Sequence, residues 1–292
     1  MLPAVFLSRC DRLSTSFGVY SCPSHYWNEA SAFMNLYGSA SLVLLFGLFV
    51  GLLACLEIGY RIGRNNYRKN HALAYEGTGT LEGALFALLG LLLGFSFAGA
   101  TSRLDGRHQL IIHEANAIET AYSRLDLLPA SEQPALRHLF RDYLDARVQA
   151  YEEFAHREAS AQEFARASEI QQRIWSLGLT ASQADPSREA TRLLLPALND
   201  MADVATARTI AVELHLPAFI FYLLIGIALL TAVLAGYAMS KRQSRSWLHI
   251  LLYSVIISVT IYAIFDFDNP RYGLIKADAA DKALIHLRDS IR

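Results

Sequence analysis

A short polar run, His113-Glu114, has the beginning of a catalytic zinc motif. In that motif a second histidine follows four residues after the first, so that both metal ligands share one face of a helix. Position 117 is an alanine, and the second ligand is missing. The sequence also contains no nucleophile elbow and no cluster of Cys or His at ligand spacing, since its nine histidines are scattered. It therefore predicts a protein that is not an enzyme.

A second candidate for chemistry lies near the end of the chain, where Asp266, Asp268 and Asn269 occur within four positions. Their oxygens are ligands that a hard cation prefers. The pattern of a calcium-binding loop fails, because it requires a ligand at position 270, which is a proline. The alternative is a helix end with a proline–glycine turn, held by contacts between aspartate and arginine. A bound cation is the only cofactor that the sequence suggests.

A third candidate is a polar stripe on a predicted helix. Asn116, Thr120 and Arg124 recur every four residues, and His113 lies on the same side. One interpretation is a buried network of hydrogen bonds and ion pairs between helices. The other is the lining of a water-filled vestibule. The buried network is favoured for Asn116 and Thr120, and Arg124 is left open.

The distribution of charge predicts the elements that must position these residues. Only 18 % of the 292 residues are charged, against about 25 % in soluble domains, and the mean hydropathy is +0.25. The net charge of −1 gives no indication of nucleic-acid binding. About 20 residues of helix cross the ~30 Å hydrocarbon core of a bilayer. Four windows of that length or longer contain no charged residue: residues 30–56, 83–102, 214–240 and 246–265.

The predicted fold is therefore all-α, with four transmembrane helices in a lipid bilayer. The long middle segment has helical periodicity and no strand alternation, so we expect a helical bundle inserted between the second and third membrane helices. The predicted organisation is an N-terminal segment at 1–35, a first transmembrane hairpin at 36–102, an extramembrane domain at 103–213, a second hairpin at 214–265 and a C-terminal tail at 266–292.

The short loops predict the orientation, because basic short loops stay on the cytoplasmic side. The first loop contains Arg61, Arg64, Arg68 and Lys69 against one acid, Glu76. The second contains Lys241, Arg242 and Arg245 and no acid. Both loops are therefore expected inside, and the middle segment outside. That segment has 12 Arg and 17 acidic residues, a balance of −5 that is compatible with export.

The second predicted membrane helix has two different faces. At 100° per residue, one face collects small and aromatic residues. These are Gly83, Phe86, Ala87, Gly90, Gly94, Phe97 and Thr101. Leu85, Leu88, Leu89 and Leu92 fall on the opposite side, which is expected to face lipid. The small face is typical of close helix packing. It also fits the lining of a pore, with Phe86 and Phe97 as apolar constrictions and Thr101 at the mouth.

Two motifs resemble the signatures of a bacterial membrane family described as bestrophin-like and catalogued as a domain of unknown function. The first motif is Glu114-Ala-Asn116-Ala-Ile-Glu-Thr120-Ala-Tyr122-Ser-Arg124-Leu-Asp126-Leu-Leu-Pro129. The second is Asp266-Phe-Asp268-Asn-Pro270-Arg-Tyr-Gly273, and the glycine-rich stretch 90–99 also fits. The resemblance covers roughly residues 40 to 275 in element order.

The resemblance implies a pentameric anion channel whose second helix lines a hydrophobic neck, with Phe86 and Phe97 as neck residues. Two features depart from bestrophins. They keep the long helical segment in the cytosol, whereas the charge rule here places it outside. An acidic vestibule also suits cations better than anions.

The predicted function is an oligomeric channel for small ions in the inner membrane, with the second helix around the axis. The alternative is a non-conducting membrane scaffold or sensor whose helical domain binds a partner.

Overall fold

The computed structural model describes residues 37–69, 78–153, 157–184, 188–240, 247–269 and 278–291. Within these ranges the chain forms eight α-helices, one 3₁₀ turn at Arg124–Leu127 and no strand, which confirms the predicted all-α fold. The predicted N-terminal segment, 1–35, lies outside the described residues. In chain order the helices are α1 Tyr37–Lys69, α2 Thr78–Ser123, α3 Gln133–Glu152, α4 Arg157–Gln183, α5 Glu189–Glu213, α6 Ala218–Met239, α7 Trp247–Asp268 and α8 Asp278–Ser290.

Four of these helices are long and apolar enough to cross a bilayer. The apolar stretches are Leu42–Asn66, Gly79–Leu127, Ala218–Met239 and Trp247–Asp268. They overlap the four uncharged windows of the sequence, so the prediction of a multi-pass membrane protein is confirmed. Helix α1 continues past the first charged residues to Lys69. All four basic residues of the first predicted loop, Arg61, Arg64, Arg68 and Lys69, are therefore on the last turns of this helix.

Glycines allow α1 and α6 to pack with their backbones in contact. Gly59 and Gly63 on α1 face α6, and Gly236 on α6 faces α1. A Cβ atom at Gly59 would overlap the carbonyl oxygen of Val233, and one at Gly236 would overlap the carbonyl oxygen of Leu56. Small residues at such crossings let helices in lipid gain dispersion contacts along their whole length. The packing of α1 on α6 is therefore specified at these glycines.

Helix α2 is the longest element, with 46 residues in one unbroken helix. Its first half packs on α6 and α7, and its second half packs on α5 and α8. The two halves belong to two separate hydrophobic cores. One core lies among the apolar helices and includes Leu52 and Leu89. The other lies among α2, α3, α4, α5 and α8 and includes Phe140 and Ile174. The helix therefore connects the membrane half of the molecule to the helical bundle.

The C-terminal helix α8 is part of that bundle. Leu284, Leu287 and Ile291 are buried in the same core as Phe140 and Tyr143 of α3. The helix is amphipathic, with apolar residues at a spacing of three and four, and this pattern places one stripe against the bundle. The residues assigned to a C-terminal tail thus contribute a packed helix.

The side of α2 that packs within the chain is not the glycine face. The buried positions are Leu89, Leu93, Ser96 and Ala100, which lie roughly 90° from that face at 100° per residue. Leu88 is exposed as expected, but the prediction that Leu89 faces lipid is wrong, because only 2 % of this residue is accessible. The neighbouring helices approach α2 from one flank of its small-residue face and leave that face open.

Candidate functional site: the exposed face of the second helix

The glycine positions on the small-residue face of α2 are open in the single chain. Gly83, Gly90 and Gly94 are exposed, and a Cβ atom at any of them would meet no atom within 4 Å. Close packing within one chain therefore does not explain these glycines, in contrast to Gly59 and Gly236. Their small size is available for an approach by another molecule or for an open path.

The exposed face continues into the second half of α2. Exposed residues recur every three or four positions from Ala87 to Ser123, over about 54 Å at 1.5 Å per residue. In the membrane half they are small or apolar: Ala87, Leu91, Gly94 and Ala98. In the second half they are mostly polar: Ser102, Asp105, Gln109, Ile112, Asn116, Glu119 and Ser123. We call this set the α2 stripe. Its members lie within roughly 100° of arc, so they form one straight face.

The two predicted neck phenylalanines lie at the edge of the stripe. Phe86 is half-buried and packs edge-on against Tyr253 of α7, with 6.0 Å between ring centroids. Phe97 packs edge-on against Phe267 at 5.4 Å, and 39 % of it is exposed. The Thr101 hydroxyl donates to the backbone carbonyls of Phe97 and Ala98, as is usual for a threonine inside a membrane helix. The contacts with α7 fix the position of both rings.

The predicted vestibule residues are brought to the surface of the bundle. His113, Asn116 and Thr120 are exposed, and the favoured interpretation of a buried network is therefore wrong for Asn116 and Thr120 within one chain. Arg124 differs from them. It begins the 3₁₀ turn, and its Nη1 donates to the carbonyl oxygen of Leu193 on α5 at 2.6 Å. Asn116 lies on the α2 stripe, while Arg124 ties the end of α2 to the bundle.

The buried ionic network of the bundle is centred on Glu114, a residue that its sequence context connected only with an incomplete zinc motif and a family motif. The Glu114 side chain is 0 % exposed and accepts from two arginines that are also buried, Arg147 of α3 and Arg208 of α5. Arg147 Nε lies 2.6 Å from Glu114 Oε1, and Arg208 Nη1 lies 2.5 Å from Oε2. One carboxylate thus joins three helices through two buried arginines.

Aromatic rings pack against both guanidinium groups. The Arg208 guanidinium lies 3.5 Å from the ring centre of Tyr151, and that of Arg147 lies 5.4 Å from the ring of Phe164. Ring faces attract cations, and the attraction is stronger away from water. Burial alone would lower the pKa of Arg147, but Tyr151 and Glu114 beside it raise that pKa above its ordinary value. Arg147 therefore stays charged, and the network has a structural role rather than a proton-transfer role.

A signal for this network is present in the sequence. The buried residues Ile111, Ala115 and Ile118 recur every three or four positions along α2. Glu114 falls on the same face, three residues after Ile111. An acidic residue at a core position of a helix requires a basic partner elsewhere in the chain. Which of the 12 arginines of the middle segment supply it cannot be read from spacing.

A second ionic cluster lies at the junction of α2, α7 and the break between α5 and α6. Asp268 is 1 % exposed. Its Oδ1 accepts from Arg103 Nε at 2.8 Å, and its Oδ2 accepts from the backbone N–H of Leu216 at 2.8 Å. The break leaves this N–H without a helical partner, and Asp268 satisfies it.

Arg107 satisfies the carbonyl groups at the same junction. Its guanidinium donates to the carbonyl oxygens of Ala211, Leu214 and Asp268 at 3.0, 2.8 and 2.8 Å. These carbonyls lie at the ends of α5 and α7, where a helix leaves acceptors unpaired. Two arginines of α2 thus hold three helix ends together at the point where the membrane half of the molecule meets the bundle.

This geometry bears on the predicted cation site. Both oxygens of Asp268 are hydrogen-bonded to protein groups, and Asn269 Nδ2 donates to the carbonyl oxygen of Phe265 at 3.0 Å. Asp266 is also buried, and the Tyr262 hydroxyl lies 3.5 Å from its Oδ1. Among the described residues, no three His, Cys, Asp or Glu side chains group in a way that could hold a metal ion. The contacts favour the structural interpretation of a helix end held by aspartate and arginine.

The fold and these contacts define an all-helical, multi-pass membrane protein whose second helix runs from the membrane into a helical bundle. A family model, the Bestrophin-like domain, matches residues 59–280, which is most of the chain. The chain therefore belongs to the bestrophin-like family, as the two sequence motifs indicated. Comparison with curated proteins and with solved structures gave no match.

Proposed function

We propose that the protein is an oligomeric ion channel in which copies of α2 surround a central axis. The α2 stripe is the observation that carries this proposal. It is a single face, about 54 Å long, that no other helix in the described part of the chain covers. It is apolar where the helix is in the membrane and polar beyond it, as a narrow pore that opens into a wet vestibule requires.

Lipid alone does not account for this face. Lipid would cover the membrane half of the stripe as readily as it covers any apolar helix surface. Gly94 on the stripe, with Gly83 and Gly90 beside it, leaves that surface recessed, however, and the polar half extends the same line beyond the membrane. A symmetric assembly with α2 innermost accounts for both halves, and the family resemblance implies five copies. Phe86 and Phe97 lie at the edge of the membrane half of the α2 stripe, and they are the candidates for the apolar neck.

The test is conductance together with particle symmetry. We expect purified protein in planar bilayers to give unitary currents, and averaged particle images to have α2 nearest a rotational axis. Gly94→Leu should reduce the unitary current at least severalfold, because the added side chain extends into open space on the stripe. Gly226→Leu on α6 is the matched control, since a Cβ there also meets no atom within 4 Å.

Equal unitary currents from Gly94→Leu and wild type would mean that this face of α2 does not line the pore. A symmetric particle that never conducts would support the competing role, a membrane scaffold or sensor whose bundle binds a partner.

The proposal includes an orientation in the inner membrane, with the short loops in the cytoplasm and the bundle outside. The basic residues of the loops support it. Gln172 on α4 is exposed and far in sequence from the spans, so Gln172→Cys in a background without Cys10, Cys22 and Cys55 is a suitable reporter. We expect a membrane-impermeant maleimide to label it in cells with a permeabilised outer membrane. If the maleimide labels this cysteine only after the inner membrane is lysed, the bundle lies in the cytoplasm and the proposed orientation is wrong.

A further inference from the structure

We infer that Asp105 makes the pore selective for cations over anions. The inference rests on the proposed function, because it names the class of ion that the proposed channel conducts. It differs from the anion selectivity that the resemblance to bestrophins implies.

Asp105 is the first charged residue on the α2 stripe beyond the membrane half. It lies one turn after Thr101 and about 12 Å along the helix from Phe97. The residue is exposed, and no ion pair or hydrogen bond of its side chain occurs within the described residues. On the stripe it is therefore a full negative charge at the point where the apolar path opens to water.

The positive charges of α2 are directed away from this face. Both arginines of the helix, Arg103 and Arg107, lie roughly 160° to 200° around the helix from Asp105 at 100° per residue. Arg103 is paired with Asp268, and Arg107 is bound to three backbone carbonyls at the α5–α6 break. The next charged residue on the stripe is another acid, Glu119. Permeating ions therefore meet the carboxylates of Asp105 and Glu119, and His113 is the one exposed basic side chain of α2.

Rotational symmetry would multiply the electrostatic effect of Asp105. In an assembly with α2 around the axis, each subunit contributes one Asp105, and the carboxylates form a ring at the mouth of the neck. A ring of one sign attracts counter-ions and repels ions of the same sign, and field focusing in a narrow cleft raises local counter-ion concentration about 10- to 1,000-fold. Rings of Asp or Glu are the usual means by which channels select cations.

The test is the reversal potential of the full-length channel under a gradient of KCl. We expect wild type to favour K⁺ over Cl⁻. Asp105→Asn should lower the K⁺/Cl⁻ permeability ratio by about tenfold, and Asp105→Lys should lower it further. Asp105→Glu keeps the charge and should retain the wild-type ratio. Glu169→Gln, an exposed acid on α4, is the matched control and should change nothing.

The outcomes separate this inference from the proposed function. Absence of any current from wild type overturns both. Wild-type current that favours Cl⁻, or an unchanged ratio in Asp105→Asn, overturns the inference and leaves the channel intact. Loss of the oligomer in Asp105→Asn would assign the residue to a contact between subunits and would also overturn it. Screening adds a further check, because selectivity from an exposed ring should weaken as ionic strength rises.

Discussion

Replacing Glu114 by alanine is expected to lower the free energy of unfolding by about 3–5 kcal/mol. The substitution removes the carboxylate that lies between the buried guanidinium groups of Arg147 and Arg208. It also removes the hydrogen bonds by which this carboxylate links α3 and α5 to α2 at the centre of the bundle. Thermal unfolding of the detergent-solubilised protein should therefore begin well below the wild-type temperature, or the variant should fail to accumulate.

Glu119→Ala is the matched control for this prediction. Glu119 lies on the same helix, five residues further on, but it is exposed. An exposed acid contributes little to stability, so its removal should change the free energy of unfolding by less than about 0.5 kcal/mol. Glu114→Gln should lower the free energy of unfolding by an intermediate amount, because the amide oxygen still accepts a hydrogen bond but the negative charge is lost. Equal stability of Glu114→Ala and Glu119→Ala would mean that the buried network does not hold the bundle together.

Gly236→Val should destabilise the membrane half by about 3 kcal/mol or more, at the upper end of what overpacking costs. A Cβ atom at this position overlaps the backbone carbonyl of Leu56 on α1, and a backbone carbonyl cannot rotate away as a side chain can. The two helices must therefore separate. Unfolding of the solubilised protein by heat or by a denaturing detergent would measure the loss.

Gly226→Val provides the comparison on the same helix. Gly226 also belongs to α6, but a Cβ there meets no atom within 4 Å. Valine at this position should fold as wild type does, since both substitutions have the same intrinsic effect on helix propensity. If the two variants unfold alike, the close crossing of α1 and α6 does not contribute to stability.

Much of the membrane half could be predicted from the sequence. Four windows without Asp, Glu, Lys or Arg correspond to α1, the first half of α2, α6 and α7, because a charged side chain in hydrocarbon is costly enough to exclude it from such stretches. The continuous helix from the second window into the bundle also agrees with the sequence, since no proline interrupts residues 78–128. These predictions rest on local composition, which a single sequence contains.

The contacts between distant residues could not be predicted in this way. Glu114 meets Arg147 and Arg208, which are 33 and 94 residues away, and Asp268 meets Arg103 across 165 residues. Periodicity identifies which side of a helix is buried, but it does not identify the partner on another helix. The same limit explains why the sequence wrongly predicted that Leu89 faces lipid. A helical wheel gave the angle of this residue correctly, but the direction from which α6 and α7 approach α2 is a tertiary property.

The length of α2 has a mechanical consequence. A continuous α-helix resists bending, so its two ends turn and tilt together. Glu114 fastens the outer part of this rod to α3 and α5, and Arg103 and Arg107 fasten its middle at the membrane boundary. Any force that rotates the helical bundle about the boundary is therefore transmitted, as by a lever arm, to Gly90 and Gly94 in the membrane half of the helix.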